Sequence, residues 1–247
     1  MSIGARNTGS GSQGGAPGDG SVVVRPYEPA DRAQVRRICF ETGYMGDSVD
    51  WLWRDRESWA DMFSGYYTDC EPESALVAEV NGEVVGYLLG CLDSSKAWDP
   101  GVVALRHVLR RGIALRPGTA RVVWRSAGDI LVDAALRRLP SGRVVDPRWP
   151  AHLHIDFLPA GRGRGLGSVL VRRWLDTLRD RGCAGCHLGT MAENTSAVAF
   201  FEAMGFRREG IPELMPGLRS REGARLHVQL MVQLLGDRSG PSYSAAT

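Results

Sequence analysis

The alternation of apolar and polar residues along this 247-residue chain separates strands of period two from helices of period 3.6. His152-Leu153-His154-Ile155-Asp156-Phe157 alternates polar and apolar positions and predicts a half-buried strand, which Leu158-Pro159 ends. Downstream, Leu166, Val169, Leu170, Trp174, Leu175 and Leu178 recur at helical spacing on one face. Ser21 to Arg25 predicts a first strand. Pro29-Ala30-Asp31 opens a helix that turns Ala33, Val35, Ile38 and Cys39 to a core, with Gly43 suited to a left-handed cap at its end. Asp47 and Ser48 are cap candidates for a second helix holding Val49, Leu52, Trp53 and Trp59. Residues 75–80 and 84–90 predict two strands joined at Asn81-Gly82, a strong hairpin signal. Helix-like runs follow at 102–113 and 119–139, and Cys186-His187-Leu188 predicts a further buried strand that runs on into Gly189-Thr190.

Between the 152–157 strand and the helix after it lies Arg162-Gly163-Arg164-Gly165-Leu166-Gly167-Ser168. Small residues in such a turn let several backbone N–H groups point outward together. With the positive end of the helix they can hold a pyrophosphate, which suggests a nucleotide-bearing cofactor. A P-loop would need Lys and then Ser or Thr after its second glycine, whereas Gly167 is followed by Ser168 and Val169. A dinucleotide fingerprint is absent too: Gly161, Gly163, Gly165 and Gly167 simply alternate, and no acidic ribose partner ends the following strand.

In this context Arg162-x-x-Gly165-x-Gly167 resembles motif A of the GNAT N-acetyltransferase superfamily. Asn194-x-x-Ala197-x-x-Phe200-Phe201-x-x-x-Gly205-Phe206 resembles its motif B, usually written Asn-x-x-Ala-x-x-Phe-Tyr-x-x-x-Gly-Phe. The leading order of strand, two helices and hairpin looks like a GNAT N-terminal half, and the resemblance covers residues 21–236. It implies an α/β (α+β) fold with a mixed, mostly antiparallel central sheet and flanking helices. A compact member would pass almost directly from the hairpin to the motif A strand; here residues 93–148 form a helical insertion between the third and fourth strands. That insertion, Ala151 to Asp156 and Thr42 to Asp47 together resemble one branch, which includes the acetyltransferase-like domain of eukaryotic O-GlcNAc hydrolases and its free-standing bacterial relatives.

The resemblance implies acetyl transfer from acetyl-CoA to an amine of a small molecule or protein, by direct attack in a ternary complex. Backbone N–H groups from Arg162, Gly163, Arg164, Gly165, Leu166 and Gly167, with Ser168 in the first helical turn, would hold the pyrophosphate. A splayed strand carrying Phe157 and Leu158 would pair with the pantetheine arm, and Asn194, Ala197, Phe200 and Phe201 would flank the thioester. The Tyr44 to Asp47 loop and Trp51 or Trp53 would line the acceptor side. An attacking amine must first lose its proton, and at pH 7 only about one in 2,500 amines of pKa ~10.4 is neutral. Asp156 is the first candidate for the base and His154 the second, since His152, His154 and Asp156 share one face of a regular strand. Phe201 departs from the motif, where a Tyr hydroxyl usually protonates the leaving thiolate. Thr195, Ser196 and water are substitute donors, and a catalytically silent acyl-CoA-binding or interaction module is the alternative reading.

Composition narrows the partners. Thirty basic against 28 acidic residues give +2, so no global field favours nucleic acid or a membrane surface. Residues 93–148 alone carry eleven basic and five acidic side chains, hence +6, either a solvated helical face or an attractor for an anionic substrate or the cofactor's phosphates. The five cysteines, an odd number, do not form a disulfide framework and suit a reducing cytoplasm. Cys183-x-x-Cys186 has no second pair at zinc spacing, so no metal is expected. No apolar run reaches the roughly 18–20 residues of a membrane span. The expectation is a monomer or homodimer, with flexible tails at 1–20 and 237–247.

Overall fold

The computed structural model describes residues 21–140 and 142–236; both predicted tails lie outside the described residues. Strands β1 (Val22–Pro26), β2 (Ala75–Val80), β3 (Glu83–Cys91), β4 (Ala151–Phe157), β5 (Gly185–Met191), β6 (Arg207–Arg219) and β7 (Arg225–Leu234) form one sheet in the order 1-2-3-4-5-7-6. Every neighbouring pair is antiparallel except β4 with β5. The β2–β3 turn places Asn81 at φ 55° and Gly82 at φ 80°, the double left-handed conformation that matches strand twist in a two-residue hairpin.

Helices cover both faces, so the interior of β3 is buried throughout rather than alternating. On one face α6 (Leu166–Asp180) sets Leu170, Val171, Trp174 and Leu178 against Leu88, Leu153 and Met231, and α7 (Thr195–Ala203) adds Val198 and Phe201. On the other, α1 (Arg32–Glu41) packs Val35 and Ile38 on Val77, Tyr87 and Leu89. A bent rod lies beside it: α2 (Arg56–Ala60), a π turn (Asp61–Gly65) and α3 (Tyr66–Asp69).

Two expectations about this face need correction. The second helix does not begin at Asp47 or Ser48. Asp47 is spent in a tight turn, exchanging backbone hydrogen bonds of 2.9 Å with Tyr44, and the apolar residues from Val49 to Trp53 are buried by turns. The helix starts at Arg56, where Asp55 accepts from the Ser58 N–H at 2.9 Å. Nor is Gly43 a left-handed cap, since Thr42 closes α1. Gly43 is required by space: a Cβ there would lie 2.6 Å from Trp59 Nε1, which donates to the Cys39 carbonyl at 3.1 Å.

The insertion holds α4 (Pro100–Arg111) and α5 (Ala120–Ala135). Asp99 caps α4 through the Val102 N–H at 3.0 Å, and Gly112, at φ 60°, ends it. Part of the insertion's positive charge is consumed locally, because Arg111 and Arg116 both pair with Asp55. α5 buries Val122 in a cluster with Ile113 and Leu226 and otherwise docks on β6 and β7 through polar groups. Asp129 accepts from the Gly217 N–H at 2.8 Å and from Arg219 at 2.7 Å, and Arg225 pairs with the buried Asp133.

Candidate active site

The site grows from a break in the sheet. β4 and β5 pair only at Ala151↔Cys186 and His152↔His187 and then part, leaving a gap beside the C-terminal half of β4. The Leu158 N–H bonds Val85 O at 2.8 Å, and in an antiparallel ladder this fixes the alternation: Asp156 and His154 direct their peptide groups to β3, Phe157 and Ile155 theirs to the gap. Leu158 spends both backbone groups internally, its carbonyl accepting from the Gly161 N–H at 2.9 Å. The Phe157 carbonyl already accepts from Arg162 Nε at 2.9 Å. The Ile155 peptide groups and the Phe157 N–H remain for a ligand in the gap.

At the mouth of the gap, Gly163 and Gly165 take φ 71° and 74°, and a Cβ on either would meet nothing within 4 Å. Conformation, not crowding, calls for glycine there. Gly165 is the N-cap of α6 and no side chain caps the helix, so the first-turn N–H groups of Leu166, Gly167 and Ser168 face outward with the helix's positive end. Such a helix start can hold an anion, and the turn is a candidate cradle for one. The Phe157 ring lies across Gly86 and Gly161, where a Cβ would approach it to 2.2 and 2.8 Å, and Gly167 sits under Phe200 at 3.3 Å. The Arg164 side chain turns back to the Ala160 carbonyl at 3.0 Å.

Motif B is placed by a cap. Asn194 accepts from the Ala197 N–H at 3.2 Å and from Ser196 Oγ at 2.9 Å, which explains an Asn three residues before a small residue. Phe200 is half-buried over Gly167. Phe201 is buried, with T-shaped contacts to Phe200 and Phe206 at 5.1 and 5.9 Å.

On the opposite face of β4, His152, His154 and Asp156 share one side, but only two of them meet. Tyr87, the cross-strand partner of Asp156, donates to its Oδ2 at 2.7 Å; its oxygen is 3.4 Å from His154 Nδ1, and His154 Nε2 lies 3.6 Å from Asp156 Oδ2. Desolvation pushes the Asp156 carboxyl above the ordinary carboxylate range, against opposing pulls from His154, Tyr87, Thr42 and Arg162. His152 is a structural residue. Ser94 Oγ donates to the Pro150 carbonyl at 2.7 Å, so it must accept from His152 Nδ1–H at 2.8 Å, leaving Nε2 to accept from Tyr67 at 2.7 Å. Desolvation pushes its pKa down to about 3.

Sequence reasoning missed Tyr87 and the span of Arg162. Between Val84 and Gly90, Tyr87 is the one residue with a polar tip, a signal that register alone would have joined to Asp156. Arg162 also donates to the Gly46 carbonyl, pinning the Tyr44–Asp47 turn beside the cradle. That turn holds Met45 at φ 51° and stacks Tyr44 edge-on to Trp51 at 5.0 Å. Trp53 donates to Ser58 Oγ at 2.9 Å and is core. None of the five cysteines is paired, and among the described residues no group of three or more His, Cys, Asp or Glu could hold a metal.

A diverging parallel strand pair, a glycine-rich helix start and a capped second helix define an acyl-CoA-dependent acetyltransferase architecture. The chain belongs to the acetyltransferase (GNAT) family, whose sequence model matches residues 47–206. It is similar to the solved structure described as SsHAT, at 28% identity and TM-score 0.60, over 88% of this chain and 100% of that one. It shares the fold of yncA from Salmonella typhimurium, a putative acetyltransferase solved with its cofactor acetyl-CoA, at 18% identity and TM-score 0.50, over 90% and 98% of the two chains. Among curated proteins it is similar to a mycothiol acetyltransferase from Nocardia farcinica, 48% identical over 48 residues, 19% of this chain and 16% of that protein. This chain spans well under two thirds of such relatives, from 16% to 51% of their length. Their names do not bear on the O-GlcNAc hydrolase branch.

Proposed function

We propose that this chain transfers the acetyl group of acetyl-CoA to an amine of a small molecule or protein, with residues 21–236 acting as one catalytic domain. The reading is carried by one juxtaposition: the β4–β5 gap, with free peptide groups on one wall, opens beside an uncapped helix N-terminus. A pyrophosphate fits the cradle, where both left-handed glycines leave open space, and a pantetheine arm can pair with Ile155 and Phe157 as a missing strand.

Asp156 serves as base. Its raised pKa brings it nearer the operating range of a proton acceptor at neutral pH. The amine nitrogen attacks the thioester carbonyl carbon, its proton passes to Asp156 directly or through water, and the C–S bond breaks to release CoA. Tyr87 holds the carboxylate in place and His154 supports its charge. With Phe201 in the motif's Tyr position, the departing sulfur takes its proton from water or from Ser196 or Thr195, both exposed at the start of α7. A thiol of pKa ~8.5 leaves tolerably as its anion.

The natural setting is the cytoplasm, with the cysteines reduced. No helix among the described residues is long and apolar enough to cross a membrane. The partners are acetyl-CoA and an amine, without nucleic acid, and the protein works as a monomer or homodimer.

Saturating acetyl-CoA should raise the melting temperature, since a ligand at a hundred times its dissociation constant stabilises by about 2.7 kcal/mol. An amine panel should then release free CoA thiol. Absence of any thermal shift would remove the premise of cofactor binding. A shift without turnover on every amine would favour a silent acyl-CoA-binding module, the reading Phe201 supports.

A further inference from the structure

The insertion helix α5 turns most of its apolar surface outward. Apart from the buried Val122 and the half-buried Val123, its docking side on β6 and β7 is polar, using Arg125, Ser126, Asp129 and Asp133, while about half a turn away on the helical wheel Trp124, Ala127, Gly128, Leu131 and Ala135 face solvent. Trp124 is 64% and Leu131 72% exposed; at the margins Leu115, Val132 and Leu136 are 82%, 54% and 50% exposed. Trp124 Nε1 donates to the Ala114 carbonyl at 3.1 Å, which joins the Leu115 turn to this face. A monomer seldom leaves so much contiguous apolar surface in water.

Gly128 is the second, independent feature. It sits mid-helix, where glycine costs about 1 kcal/mol relative to alanine, yet a Cβ there would meet nothing within 4 Å. Nothing among the described residues requires it, which points to a contact beyond them.

We propose that this face is a homodimer interface in which two copies of α5 cross antiparallel about a two-fold axis at Ala127-Gly128. The residue pattern is self-complementary about that point. Small residues at the centre let the backbones approach, and the axis sets Trp124 against the partner's Leu131 and Leu131 against the partner's Trp124, the reciprocal contact of an isologous interface. It also sets Arg121 near the partner's Ala134 and Arg138 near the partner's Pro117, so no cation faces another. Covering the five large side chains removes on the order of 600 Å² of apolar surface per copy, and the arginine stems beside them bring this near the ~800 Å² per partner of a standard interface. A membrane surface would also accept Trp, Leu and Arg on one helix, but it gives no use to Gly128.

The test is the mass of the full chain in solution by light scattering and sedimentation at about 1–100 µM. Wild type should reach twice the chain mass, and Leu131→Glu and Gly128→Glu should be monomers that keep the wild-type melting temperature within a few degrees. In a Cys70→Ser background, Gly128→Cys should cross-link to a dimer under mild oxidation and Arg181→Cys should not. A wild type monomeric at every concentration, a dimer indifferent to Leu131→Glu, or no cross-link at position 128 overturns the proposal. So does a monomer that co-sediments with vesicles of anionic phospholipid, which would assign the face to a membrane.

Discussion

Asp156 and His152 lie four residues apart on one face of β4, yet their surroundings send their titrations in opposite senses. Asp156, desolvated and raised, must be ionised to accept a proton. Turnover should therefore climb with pH through its raised pKa and level off above it, and Asp156→Asn should cost about 10²–10⁴-fold in kcat and abolish that limb. An unchanged pH profile in the variant would exclude Asp156 as the base. His152 is held neutral with a pKa near 3, against 6.5 ordinarily. Between those values the unfolded chain binds a proton that the native state refuses, so stability falls as pH drops below about 6.5. Urea midpoints measured from pH 7.5 to 5 should fall less steeply in His152→Gln than in wild type. The sequence placed both residues on one face by alternation alone. It could not separate them, because the distinction rests on Ser94, Tyr67 and Tyr87, brought in from other elements. Phe201 differs again: its departure from the motif was legible, but its burial against Phe206 was not. Phe201→Tyr should raise turnover if the ring can reach the sulfur, and stopped-assay thiol release would measure the gain; no gain would leave proton delivery to water, Ser196 or Thr195.

Among the elements, the cradle was the most legible and the Asp47–Asp55 segment the least. Glycines at alternate positions before an apolar stripe have few other uses, and Gly165 at φ 74° occupies the helix start that the stripe foretold. In the 47–55 segment two cap signals competed, and tertiary contacts decided, because Asp55 alone also meets Arg111 and Arg116 across a long loop of chain. Gly165→Ala tests whether the cradle's conformation carries binding. The left-handed backbone costs a non-glycine residue about 1–2 kcal/mol, and the displaced N–H groups should weaken acetyl-CoA binding about tenfold or more by calorimetry. Gly210, at φ 63° with equally open surroundings, supplies the control: Gly210→Ala should lose similar stability and bind as wild type. Equal affinity in both variants would detach the cradle from the cofactor.

Across the whole molecule, the first five strands, the mixed, mostly antiparallel sheet and its flanking helices followed from the alternation, the hairpin and the two motifs, whereas strands β6 and β7, the sheet order and the docking of the insertion did not, since its +6 charge said nothing about where it would settle. It settles by ion pairs on β6 and β7 and by the buried Val122, a largely polar junction carrying an element whose broad apolar face points away. Asp129 and Arg219 are each only 14% exposed, and the guanidinium, aided by the Gly217 N–H, pulls the Asp129 pKa down to about 2 from 3.8. A carboxylate held below its unfolded value contributes stability that is present above about pH 4 and is lost as pH falls toward 2. Asp129→Asn should thus cost about 1–2 kcal/mol at pH 7, a melting drop of roughly 3–6 °C for a chain of this size, and the difference from wild type should shrink on acidification. Limited proteolysis should cut the variant faster within residues 93–148, while the acetyl-CoA thermal shift, which the proposed function assigns to the β4–β5 gap, should persist. Loss of that shift along with the junction would mean that the insertion completes the cofactor site rather than riding beside it.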